Sequence, residues 1–329
     1  MDQLPIIDLS QADRDIFPQL HRALKDIGFL YIQNHGVPEA LQTKLSEQAK
    51  AFFGRSESEK MAIAMEKGGL AWRGYFPVKG ELTSGVPDLK EGLYFGVEHD
   101  AGHPAVLKGA PLHGPNQWPE GSGMEVVVRE YMQQMKRISE RLMRLVAVGL
   151  GLDAGYFSMR YGNEPTELFR IFNYPKPAAF GPNDTSKMGV HEHTDMGFLT
   201  ILLQDENGGL EVKSGENGQW IAAPPIPGTF VVNIGDMLEL WTHGIYRATL
   251  HRVKNTSPND RLSFPYFFDP SWDAKLTPID AELLRENELK GVSPASVRKW
   301  DGTNLKALSQ DSTYGEFVWN KVRKVFPEL

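Results

Sequence analysis

Three side chains could do chemistry together: His193, Asp195 and His251. In Gly189-Val190-His191-Glu192-His193-Thr194-Asp195, three potential ligands share one parity just before an apolar run. Residues i and i+2 of an extended segment face the same side, so a His-x-Asp pair can aim an imidazole and a carboxylate at one point. His251 lies 58 residues further on, in Thr249-Leu250-His251-Arg252-Val253, which is also strand-like. Two imidazoles and one carboxylate make a facial triad that leaves open metal positions, the donor set suited to non-haem Fe(II) and O2 chemistry. A His-x-Asp pair alone is equally compatible with a plain core hydrogen bond.

Arg261 and Ser263 add a second chemical function. They stand ten and twelve residues after His251, with Phe264, Pro265, Tyr266, Phe267 and Phe268 following directly. An apolar run of that kind reads as a buried strand, which disfavours a surface salt bridge for Arg261. A strand-borne guanidinium beside a hydroxyl makes a directional carboxylate clamp. The chain has no cysteine. Disulfides, thiolate metal sites, cysteine-ligated iron–sulfur clusters and cysteine nucleophiles are therefore excluded together. No helical His-Glu-x-x-His motif is present, which disfavours a hydrolytic zinc site. Of the other histidines, His21 falls on a polar helix face, His35 in a turn, and His99, His103 and His113 in an irregular stretch.

These groups need a frame. Ile16, Leu20, Ala23, Leu24 and Ile27 recur at helical spacing, and Gly28 stops that helix before the strand Phe29-Leu30-Tyr31-Ile32. Leu41, Leu45, Ala49, Phe52 and Phe53 form a second apolar face, and Ser56 with Glu59 makes a capping box for a third helix. Val128, Tyr131, Met135, Ile138, Leu142 and Leu145 stripe a longer helix ending near Gly149 and Gly151. Gly68 to Pro119 reads as irregular. The runs 168–174, 199–204, 210–212, 229–234, 246–253 and 263–268 read as strands. Asn207-Gly208-Gly209 and Glu216-Asn217-Gly218 read as hairpin turns. Short strands at this spacing predict a barrel or jelly roll, and Thr313 to Phe326 returns to a helical pattern.

The chain has 329 residues, with 35 Lys and Arg against 42 Asp and Glu, a net charge of −7. That balance disfavours a nucleic-acid or anionic-membrane role. The start lacks a basic and then apolar leader, and no run approaches the ~20 apolar residues of a bilayer span. A cytoplasmic protein without an obligate partner, acting as a monomer on a small molecule, is the expectation.

With these residues in place, the chain resembles the isopenicillin N synthase-like, Fe(II)- and 2-oxoglutarate-dependent dioxygenases. The resemblance runs through Leu4-Pro5-Ile6-Ile7-Asp8-Leu9 and Asp26 to Val37 to the core. There it is carried by His193-Thr194-Asp195, Asn233-Ile234-Gly235-Asp236, His251-Arg252-Val253 and Arg261-Leu262-Ser263. It implies an α+β fold with a mainly β core: a double-stranded β-helix (jelly roll) flanked by N-terminal helices, a long central helix and a C-terminal helix. Residues 1–329 would form one dioxygenase unit. Within it, 1–120 would wrap the core, 165–270 would carry the iron site, and 271–329 would include a lid helix.

By the same resemblance His193, Asp195 and His251 would bind Fe(II), with 2-oxoglutarate as cosubstrate and O2 as oxidant. Arg261 and Ser263 would bind the cosubstrate's distal carboxylate, and Tyr174 would hydrogen-bond the carboxylate of the cosubstrate or of the substrate. His191 would stand outside the ligand set. The expected reaction is decarboxylation of 2-oxoglutarate to succinate, coupled to oxidation, chiefly hydroxylation, of a small molecule. An anionic substrate is favoured if several of the loop cations line the pocket. A 2-oxoglutarate-independent oxidase of the same fold and a non-catalytic jelly-roll binding protein are the alternatives. Strand parity groups Arg170 and Phe172 with Tyr174. Arg170 then either binds an anionic group or makes a salt bridge at the barrel mouth. Arg73, Tyr75, Lys90 and Tyr94, with Phe267 and Phe268, complete the expected substrate residues. Trp241 is expected in the core.

Overall fold

The computed structural model describes residues 3–83, 85–160, 164–177, 188–213, 218–284 and 312–325. The chain opens with β1 (Ile6–Asp8), α1 (Asp13–Asp26), β2 (Phe29–Gln33), α2 (Glu39–Phe53) and α3 (Glu57–Met61). Helix α1 buries Ile16, Leu20, Ala23 and Leu24. Gly28 then turns into β2 at φ +77°, where a Cβ would meet the Arg247 carbonyl at 2.0 Å. The Ser56 hydroxyl and the Glu59 carboxylate cap α3 reciprocally. A 3-10 segment leads to β3 (Gly74–Phe76), β4 (Leu82–Thr83), β5 (Val86–Pro87), β6 (Glu91–Gly96) and the short α4 (Pro104–Leu107).

Helix α5 (Met124–Gly149) and α6 (Tyr156–Arg160) precede the strands of the second half. These are β7 (Thr166–Tyr174), β8 (Met188–His193), β9 (Leu199–Gln204), β10 (Leu210–Lys213), β11 (Trp220–Ala222) and β12 (Thr229–Ile234). They continue through α7 (Asp236–Trp241), β13 (His251–Lys254) and β14 (Arg261–Asp269) to the closing helix α8 (Tyr314–Val325).

Among the described residues, one sheet runs β1-β2-β12-β9-β14-β7-β6-β3 and a second runs β11-β10-β13-β8. The two sheets are those of a jelly roll, and helices α1, α2 and α5 pack outside them. Helix α5 buries Val128, Tyr131, Met135, Leu142 and Leu145, and it touches β9 and β14. No described helix is long and apolar enough to cross a membrane.

Several sequence expectations change. The irregular stretch holds β6, whose residues 91–96 are all buried and pair with β7 inside the large sheet. The glycines at 92 and 96 masked its pattern. Gly92 leaves room for Phe76 and Phe172, and Gly96 for Arg73. Asn207-Gly208-Gly209 is not a hairpin: β9 pairs with β12 and β14, whereas β10 pairs with β11 and β13. The turn is a corner between sheets. There Gly209, at φ +99°, lies so close to the Lys254 carbonyl that a Cβ would stand 2.2 Å from it. Glu216 and Asn217 of the second turn, and Phe326 of the expected last helix, lie outside the described residues. The expected strand 246–253 narrows to His251–Lys254.

Candidate active site

Strand β8 ends on His193 and β13 begins on His251, and these two residues are direct antiparallel partners. Their rings stand 4.1 Å apart between centroids. Asp195 lies just past the end of β8, with its Oδ1 3.8 Å from His193 Nε2 and 3.6 Å from His251 Nε2. One ligand atom from each of the three comes within 4.8 Å of the others.

The surroundings leave the right atoms to ligate. His193 Nδ1 lies 2.8 Å from the His191 carbonyl and His251 Nδ1 3.1 Å from the Thr249 carbonyl. A proton held on each Nδ1 leaves the Nε2 lone pairs pointing at Asp195. Asp195 Oδ2 accepts from Thr200 Oγ1 at 2.6 Å and from Asn233 Nδ2 at 2.7 Å, so Oδ1 is the oxygen left to ligate. Burial and the neighbouring His251 push His193 down to about 4, so it is neutral near pH 7. Burial opposes ionisation of Asp195, but the two histidines and the Asn233 and Thr200 bonds outweigh it and hold its carboxyl below the ordinary range. A carboxylate and two imidazoles converging from one side is a donor set that fits Fe(II).

These groups line a cavity enclosing about 1130 Å³, open mouth included. Arg261 is fully buried in its wall, directly opposite Tyr174 across β14 and β7. Its Nη2 donates to Gln204 Oε1 at 3.1 Å, and its Nε and Nη1 are buried without a hydrogen-bond partner among the described residues. A buried guanidinium with vacant donors costs several kcal/mol unless a ligand anion meets it. Ser263 lines the same cavity, opposite Phe172. The arrangement fits a carboxylate of 2-oxoglutarate.

The remaining expected residues divide. Arg170, Phe172 and Tyr174 share a face and all reach the cavity, as do Lys90 and Phe267. Phe268 does not: it is one residue out of parity with Phe267 and is buried in the core. Lys90 is locked between Glu81, at 2.8 Å, and Asp88, so its charge is already matched. Tyr94 donates to Glu81 at 2.7 Å from outside the cavity lining, and Tyr75 to Glu91 at 2.6 Å. Arg73 is buried beside a separate cavity and donates to the Leu112 carbonyl at 2.8 Å. Arg73, Tyr75 and Tyr94 thus make packing contacts off the cavity lining, because the segment that carries them is part of the sheet and its flank, whereas Lys90 lines the cavity with its charge matched. His191 turns to Asp88, with Nδ1 3.3 Å from Oδ1. Trp241 is core, packed edge-on to Phe198.

Sequence reasoning assigned no role to Thr200, Asn233, Gln204 or Glu81. Thr200 and Asn233 are paired across β9 and β12 on the face that meets Asp195, and a polar residue inside each apolar strand was their signal. Asp269, also at the cavity wall, accepts from the Phe198 amide at 2.6 Å, and burial pushes its carboxyl up to about 7. Tyr314 and Val318 of α8 also line the cavity.

Comparison with known proteins agrees with this geometry. Residues 4–121 match the family model described as the N-terminal region of non-haem dioxygenases in morphine synthesis. Residues 165–270 match that of the 2OG-Fe(II) oxygenase superfamily. A Dictyostelium discoideum chain described as a probable iron/ascorbate oxidoreductase is 43% identical, covering 100% of this chain and 96% of that one. A homoarginine-6-hydroxylase of Glycine max is 34% identical, over 99% of this chain and 98% of its own. The crystal structure of a full-length Neurospora crassa protein in complex with alpha-KG (2-oxoglutarate) and thymine superposes with a TM-score of 0.73. It is 28% identical and covers 89% of this chain and 93% of that one.

Proposed function

The chain belongs to the 2OG-Fe(II) oxygenase superfamily and is a hydroxylating dioxygenase, and we propose that its substrate is a small molecule whose anionic group docks on Arg170. The observation that carries this is the state of the Arg170 side chain. Its guanidinium is held 4.2 Å from the centroid of the Tyr94 ring and 4.9 Å from that of Phe267. Glu81 stands only at 3.8 Å, and Arg170 Nε is buried without a hydrogen-bond partner among the described residues. A stacked guanidinium with spare donors in a cavity wall is suited to a carboxylate or phosphate. The similar homoarginine-6-hydroxylase has an amino acid in its name, and an amino acid carries such a carboxylate.

Bound iron supplies O2 activation coupled to oxidative decarboxylation of 2-oxoglutarate. His193, Asp195 and His251 hold the metal. Arg261, with Ser263 and Tyr174, holds the distal carboxylate of 2-oxoglutarate and so orients its keto acid end. Phe172, Phe267 and Val318 keep the cavity apolar and exclude water, which protects the reacting centre from side reactions. The N-terminal strands inside the large sheet support reading 1–329 as one dioxygenase unit. The net charge of −7 supports a role on small molecules, without nucleic-acid or anionic-membrane partners.

The test is succinate release by the Fe(II)-loaded protein with 2-oxoglutarate and a panel of small carboxylates, each beside its amide. Turnover is expected with a carboxylate and not with its amide. Arg170→Ala should raise KM for that substrate at least about tenfold, the worth of a charge-assisted hydrogen bond, and leave KM for 2-oxoglutarate unchanged. Equal turnover of carboxylates and amides, or an unchanged substrate KM, overturns the Arg170 assignment.

A further inference from the structure

A second group of metal-ligating side chains lies outside the active site. The loop between β6 and α5 brings His99, His103 and His113 into mutual contact, with ring centroids 4.4 Å apart for His99 and His103 and 4.9 Å for His99 and His113. Glu164, just before β7, places its carboxylate 3.3 Å from His103 Nε2. One ligand atom each from His99, His103 and Glu164 lies within 4.8 Å of the others, the same closeness as in the His193, Asp195 and His251 set. We propose that His99, His103 and Glu164, with His113 beside them, form a second site for a divalent cation of the imidazole-preferring class, such as Zn(II) or Co(II).

Two observations separate this cluster from an ordinary stack of histidines. His99 is 8% exposed, and its Nδ1 is buried with no hydrogen-bond partner among the described residues. A buried polar atom left unpaired costs about 1–3 kcal/mol, so a ligand for it is expected. His113 Nδ1 lies 2.9 Å from the Pro111 carbonyl, the carbonyl two residues back. His193 and His251 make the same contact, which holds a proton on Nδ1 and frees Nε2. Burial lowers both His99 and His113 below the usual imidazole pKa, which favours the neutral form that can ligate.

Two features oppose binding and set its strength. The Ala105 amide donates to His103 Nδ1 at a long 3.3 Å, and ligation through Nε2 gives that bond up. The buried Arg73 guanidinium and the Lys136 ammonium line the same cavity. Lys136 is paired with Glu167 at 2.6 Å, so a dication meets chiefly the charge of Arg73 against the single Glu164 carboxylate of the ligand set. Weaker binding than at the active site follows. The position gives a bound ion a structural consequence. Thr166 and Leu168 of β7 border both this cavity and the catalytic one, and the His113 ring stands edge-on to Trp272 at 5.5 Å. An ion here ties the loop to the wall that carries Arg170.

The test is equilibrium dialysis of the full-length protein against Co(II), with bound metal counted per chain. Two equivalents are expected for wild type, one for His99→Asn, one for His251→Ala and none for the double variant. His99 is buried, so Glu164→Gln on the exposed side serves as the second probe. It should weaken the second equivalent about tenfold or more while the first keeps its affinity and turnover with Fe(II) is unchanged. A single equivalent in wild type, or a second equivalent of unaltered affinity in Glu164→Gln, overturns the proposal.

Discussion

His193 and His251 are directly opposed residues of two antiparallel strands, so the register of β8 on β13 sets the distance between the two imidazoles. A slip of one residue would turn one of them to the opposite face. Asp195 is beyond the strand and lacks that restraint. Its orientation comes instead from Thr200 and Asn233, which both bond its Oδ2.

Thr200→Val therefore isolates the orienting bond without removing a ligand. The substitution keeps the shape and deletes the hydroxyl that donates at 2.6 Å. Fe(II) affinity should fall about 10- to 100-fold, the usual cost of losing a partner that orients a metal ligand. Turnover at saturating Fe(II) should recover most of the loss. Titration of the metal-free protein with Fe(II) under anaerobic conditions reads the change, and unchanged affinity would show that Asn233 alone suffices.

Arg261 should trade stability for binding. It is fully buried, with two nitrogens unpartnered and only Gln204 as a side-chain acceptor among the described residues. Replacing an unmatched buried charge by an apolar side chain of similar length removes a desolvation cost, which is often stabilising by about 1–4 kcal/mol. Arg261→Met is expected to raise the urea midpoint of the protein free of 2-oxoglutarate while abolishing 2-oxoglutarate binding. A lower midpoint would mean that the guanidinium is better satisfied in the wall than its contacts indicate.

Tyr174 depends on a glycine across the sheet interior. A Cβ on Gly189 would stand 2.4 Å from Tyr174 Cδ1, a distance no packed ring tolerates. The ring, 4.9 Å from the Arg261 guanidinium, must then shift. Gly189→Ala should raise KM for 2-oxoglutarate severalfold, with Fe(II) affinity held within about twofold because the ligands on β8 keep their pairing with β13. Parallel measurement of both constants decides it, and an equal loss of both would place the damage in β8 itself.

The candidate metal ligands and the proposed clamp residues were legible because each sits in or beside a strand whose parity and apolar neighbours show in the sequence. Strands 199–204 and 229–234 were legible to the residue for the same reason. Strand β6 was not, since two glycines broke its pattern and its pairing partner β7 lies about eighty residues away. The contacts of Lys90, Tyr75 and Tyr94 were illegible for a related reason. Whether a loop cation faces substrate or a buried carboxylate depends on long-range contacts, and here Glu81, Asp88 and Glu91 had already taken those partners.

Lys90 supplies the sharpest check on that distinction. Its ammonium is 2% exposed, bonded to Asp88 and 2.8 Å from Glu81, and it lies 5.1 Å from the centroid of the Phe172 ring. Burial would lower its pKa, but Glu81 and Asp88 raise it well above the ordinary lysine value, so it stays charged. Lys90→Met leaves the fully buried Asp88 with Thr83 and His191 as its side-chain partners. Breaking a buried pair in this way costs about 3–5 kcal/mol. A large drop in the urea midpoint is therefore expected, and Lys90→Met combined with Asp88→Asn should regain part of it. In the folded fraction, KM for a carboxylate substrate should stay near wild type, in contrast to Arg170→Ala. A raised substrate KM with an unchanged midpoint would return Lys90 to the substrate site.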